Sequence, residues 1–139
     1  MKHTIALSVQ NIINTVLARS ALRHHLRADR PPLLNRGQTA ALSLMARGIF
    51  ASIAARIGAE LGPDDPEILS LTLERESMDQ RAVASALERA VVTSLLAETY
   101  AGTDSEISRY YQSHHQTALT DLTAILQSAA SASIHPSLF

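Results

Sequence analysis

The sequence predicts an all-α fold: four main helices in a bundle, a short segment near residues 68–74 that reads as helix or strand, and an extended C-terminal tail over 131–139. Three observations carry this. Apolar residues recur at helical spacing in four long stretches. Pro31-Pro32, Gly62-Pro63 and Gly102 separate those stretches at turn-forming points. The chain has 139 residues, 46% hydrophobic and 18% charged, which suits one core over 1–139 and excludes a disordered chain.

The first helix is expected from about Thr4 to Ala28. Ile5, Val9, Ile12, Ile13 and Val16 lie on one helical face. Continued past Val16, that face meets Arg19, Arg23, Arg27 and Arg30. Arg30-Pro31 stops the helix, because proline disfavours the helical state of the residue before it. Thr39 is the expected N-cap of a second helix reaching Leu61, with Leu42, Met45, Ile49, Ile53, Ile57 and Leu61 as its buried stripe. Gly48 and Gly58 weaken that helix by about 1 kcal/mol each relative to alanine unless they permit close packing.

Residues 68–74 leave two readings open. Leu69, Leu71 and Leu73 alternate with Ser70, Thr72 and Glu74, which is strand periodicity. Pro66 also fits the first position of a helix. With no second alternating segment recognised, the strand reading needs the same segment of another subunit, and the short helix is preferred. Ser77 and Gln80 match a capping box opening a third helix over 78–101, with Val83, Ala86, Leu87, Ala90, Val91 and Leu95 inward. Gly102 is expected to end it in the left-handed conformation. Thr103 and Glu106 match a second capping box, and the last helix should reach about Ala130, burying Ile107, Tyr111, Ala118, Leu122, Ile125 and Ala129. The tail beyond ends in the apolar pair Leu138-Phe139.

No stretch approaches the ~20 apolar residues of a membrane span. Ser8, Gln10, Asn11 and Asn14 interrupt any signal-peptide core, so a soluble protein is expected. Absence of cysteine excludes disulfides, thiolate nucleophiles and cysteine zinc sites, and fits a reducing compartment. There is no Gly-x-Ser-x-Gly elbow, Walker loop or His-Glu-x-x-His motif. His24-His25 and His114-His115 are adjacent pairs whose side chains diverge on a helix, so neither pair chelates one ion. No catalytic residue, metal or cofactor is expected, and solvated or partly packed imidazoles are the default.

Charge is the distinctive pattern. Up to Ala59 there are eight basic residues and one acid, Asp29, a net +7; from Glu60 onward four arginines face twelve acids, a net −8. Such a chain is either internally complementary or stacks pole to pole with neighbours. The row Arg19, Arg23, Arg27 and Arg30 is the expected contact surface. Its partner can be the chain's own acidic half, an acidic patch on another subunit, or a nucleic-acid backbone.

The stretch Ala86-Leu87-Glu88-Arg89-Ala90-Val91-Val92, then Leu95-Leu96-Ala97-Glu98-Thr99-Tyr100-Ala101-Gly102, followed by a helix with Tyr110-Tyr111 and Ala118-Leu119, resembles head-to-tail adaptor proteins of tailed bacteriophages. The resemblance covers roughly the C-terminal 60 residues. It implies a non-enzymatic, homo-oligomeric ring, commonly of twelve copies, assembled in the bacterial host cytoplasm and residing in the virion. Such a ring joins portal protein to tail proteins around the DNA channel. It further implies that Ile134, Leu138 and Phe139 dock on portal or on a neighbouring subunit. The alternative from another class is a cytosolic helical-bundle module recognising an acidic protein or nucleic-acid backbone through the arginine row.

Overall fold

The computed structural model describes the backbone of residues 1–26 and 36–134 and the side chains of residues 1–22 and 36–127. The elements run β1 (Lys2–Ser8), α1 (Val9–Leu26), a 3-10 turn (Arg36–Gln38), α2 (Thr39–Arg56), β2 (Glu60–Leu61), β3 (Ile68–Glu74), α3 (Gln80–Tyr100) and α4 (Ser105–Ile134). The four helices are those the sequence predicts, and the fold is mostly helical, with a small three-stranded sheet in addition.

That sheet corrects two expectations. Residues 4–8 are strand rather than the start of the first helix. His3, Ile5 and Leu7 are buried while Lys2, Thr4 and Ala6 are exposed. Ile5 satisfies both the strand and the helix pattern, which hid the alternation; pairing with a second strand decides it. β1 runs antiparallel to β3 with Ile5 opposite Leu71 and Leu7 opposite Leu69. Residues 68–74 are therefore neither a helix nor an intersubunit strand, since their partner lies at the N-terminus of the same chain. The sheet order is β1-β3-β2. The Arg75 amide donates to the Met1 carbonyl and the Val9 amide to that of Glu67, both at 3.0 Å. Odd residues of β1 thus bond to β3, and the backbone groups of Lys2, Thr4, Ala6 and Ser8 line the outer edge. The Ser8 hydroxyl accepts from the Asn11 amide (3.2 Å) and caps α1.

α2 ends five residues before the expected Leu61 because Gly58 adopts φ +71°. The Ala59 amide reaches the Ala54 carbonyl (2.9 Å) and the Gly58 amide that of Ala55 (3.3 Å), a complete Schellman stop. Leu61 is left in β2, largely exposed. At α3 the cap is Asp79, which accepts from the Ala82 amide at 3.2 Å, in place of the expected Ser77–Gln80 box. Asp104 likewise displaces Thr103, accepting from the Ile107 amide at 3.2 Å. In both cases a carboxylate one or two residues downstream is the stronger cap, favoured by the helix dipole. Gly102 is not left-handed; Gly58 alone has positive φ among the described residues.

α3 is the spine of the core, with Val83, Ala86, Leu87, Ala90, Val91 and Leu95 buried as expected, and Leu96 and Tyr100 beside them. α4 packs antiparallel against it. The Ser108 hydroxyl donates to the Ala97 carbonyl (2.8 Å), and Ile107, Tyr111, Ala118 and Leu122 are buried. α4 continues past Ala130 to Ile134. The sheet face of Ile5, Leu7, Leu69, Leu71 and Leu73 closes the core together with Val9, Ile12, Ile13 and Val16 of α1.

Candidate binding groove

Most of the predicted contact residues lie outside the described side chains. Arg19 is exposed on α1. Arg23 lies within α1 with its side chain outside the described residues, as do Arg27 and Arg30 altogether. Ile134 is the last residue of α4 by backbone, and Leu138 and Phe139 fall outside the described residues with the tail.

A different site emerges from α2. Its core face is turned from the predicted stripe: Leu42, Ala46, Phe50, Ile53 and Ala54 are buried, while Met45 and Ile49 are only partly covered. Met45, Ile49 and Ile53 face Leu119 of α4 across a groove of about 410 Å³, an apolar floor. Its polar lining is Ser52 and Arg56 from α2, Ser94 and Glu98 from α3, and His115 from α4. Residues 94 and 98 are one turn apart on α3, which puts both on the groove face.

His115 is half-buried, and its Nδ1 lies 2.8 Å from the Ala90 carbonyl oxygen. A carbonyl only accepts, so Nδ1 carries the proton and Nε2 is the ring nitrogen left to act. The expectation of a solvated or partly packed imidazole covers His115, though not the partner that anchors it. It misses His3, which is buried under the sheet. The Gln80 amide donates to His3 Nδ1 (3.3 Å), so the ring donates from Nε2 to the Arg75 carbonyl (3.1 Å).

Among the described residues the two charge poles meet in an ion pair at one point. Arg47 Nη1 is 3.4 Å from Asp64 Oδ1, and its Nη2 donates to the Asp65 carbonyl. Arg89 pairs with Asp121 at 3.3 Å inside the acidic half. Among the described residues no three His, Asp or Glu side chains converge to hold a metal ion, and no helix is long and apolar enough to cross a membrane. No family model, curated protein or solved structure matches the chain.

Proposed function

We propose that the protein is a structural subunit that works by packing against copies of itself and against neighbouring proteins. Its suggested place is the ring-forming adaptor that joins portal to tail around the DNA channel of a phage. The observation that carries this reading is the outward surface of α2. Arg47 and Arg56 are the only charges on that helix, and a helix apolar on all sides is ordinarily enclosed. Here Leu44 is 73% exposed, and Ala41, Gly48 and Ala55 are exposed beside it at helical spacing. A Cβ built on Gly48 meets nothing within 4 Å, so no packing inside the chain requires glycine there. Such a surface suits close approach of another helix, and the resemblance of residues 86–119 to head-to-tail adaptors supports a ring.

The test is light scattering and native mass spectrometry across a concentration series, alone and with a phage portal protein. Self-association or a portal-dependent ring is expected, abolished by Leu44→Glu. A wild-type monomer that ignores portal and shifts only with DNA refutes the adaptor and favours recognition of nucleic acid through the arginine row.

A further inference from the structure

We infer that the groove between α2, α3 and α4 binds a small zwitterion with an apolar body, of which a hydrophobic amino acid or dipeptide is the simplest member. This goes beyond self-association: Leu44 does not line the groove, although Gly48 borders both surfaces.

Arg56 and Glu98 supply the first argument. Both line the groove, and among the described residues neither has an ion-pair partner. Opposite charges on one cavity that do not close on each other leave room for a ligand carrying both signs. A purely anionic ligand would meet Glu98 and a purely cationic one Arg56, so each single-charge class is disfavoured by one wall. The guanidinium suits a carboxylate, which it can hold in a two-pronged contact.

His115 adds direction. With Nδ1–H held by the Ala90 carbonyl, Nε2 is the ring nitrogen that can accept, which complements Glu98 for an ammonium group. The apolar floor of Met45, Ile49, Ile53 and Leu119 receives the ligand's body. A volume of about 410 Å³ lies in the lower part of the range for small-molecule sites.

Calorimetric titration of the full chain with L-leucine and with leucyl-leucine tests the proposal. Saturable binding is expected for at least one of them. 4-Methylvalerate, which lacks the ammonium, and isoamylamine, which lacks the carboxylate, should each bind about tenfold or more weaker. Arg56→Gln and Glu98→Gln should each weaken the zwitterion by a similar factor, because both side chains are exposed and their loss leaves the fold intact. Arg81→Gln, outside the groove, should change nothing. The proposal is overturned if neither zwitterion saturates, if the truncated analogues bind equally well, or if both groove variants bind as wild type. Repeating the titration on Leu44→Glu separates this outcome from the fate of the oligomer.

Discussion

Leu7→Ala distinguishes a strand from a helix at the N-terminus more sharply than any change at Ile5. In a helix beginning at Thr4, Leu7 stands about 200° from Ile5 and away from the Val9–Ile12 stripe. Its truncation would then change stability by no more than about 0.5 kcal/mol. In the strand, Leu7 is 6% exposed, on the same face as Ile5, and opposite Leu69. Removing a buried leucine side chain costs about 2–5 kcal/mol through lost transfer energy and the cavity left behind. With a urea m-value of about 1–3 kcal/mol/M, the unfolding midpoint should fall by roughly 1–2 M. Circular dichroism reads that directly. Combining it with Leu69→Ala should show coupling of about 0.5 kcal/mol, since the second truncation finds its cross-strand neighbour already gone. An unchanged midpoint for Leu7→Ala, or strict additivity with Leu69→Ala, would refute the pairing of β1 with β3.

Three further changes probe the local signals. Asp79→Ala should cost about 1 kcal/mol through loss of the α3 cap, whereas Ser77→Ala should stay within about 0.5 kcal/mol; equal costs in urea melts would restore the capping box. Gly58→Ala should destabilise by about 1–2 kcal/mol at its left-handed φ, while Gly48→Ala should stabilise the isolated chain by up to about 1 kcal/mol and yet impair self-association by light scattering. If the arginine row touches phosphates, replacing Arg23 and Arg27 with alanine should flatten the salt dependence of DNA binding by about one unit per arginine; an unchanged slope removes the row as a phosphate contact.

The helices were legible because their apolar stripes run over many turns, so α3's inward face could be assigned residue by residue. What escaped were decisions taken between distant segments. The alternation Lys2–Ser8 is only seven residues long, shares Ile5 with the helix pattern, and gains its meaning from β3, more than sixty residues away. Gly58 reads as an interior glycine until the backbone turns left-handed. The groove is less legible still. Arg56, Glu98 and His115 come from three helices, and no spacing within any one of them signals that they meet. The adjacent pair His114-His115 hides two environments: His114 lies 4.4 Å, ring to ring, from exposed Tyr110, while His115 is tied to α3. One hint was present in the sequence. A mid-helix glycine at 48 is costly and has no turn to justify it, and it borders the groove.

Among the described residues the ion pairs between and within the charged halves are open to solvent. Arg47–Asp64 links the two halves, but Asp64 is 94% exposed, and Arg89–Asp121 is about half exposed on both sides. Pairs this open contribute roughly 0–1 kcal/mol and are screened by salt, so they do little to hold the domain together. If the protein assembles as proposed, a +7 segment and a −8 segment affect how copies approach one another, because the summed field of many charges extends over about a Debye length, near 10 Å at 0.1 M salt. Raising salt should therefore leave the urea midpoint of the monomer almost unchanged while weakening or slowing assembly. Sedimentation velocity at low and high salt measures the second quantity and urea melts the first. A midpoint that collapses with salt would mean the poles are paired within the chain. Assembly indifferent to salt would leave the apolar face of α2 as the whole of the contact.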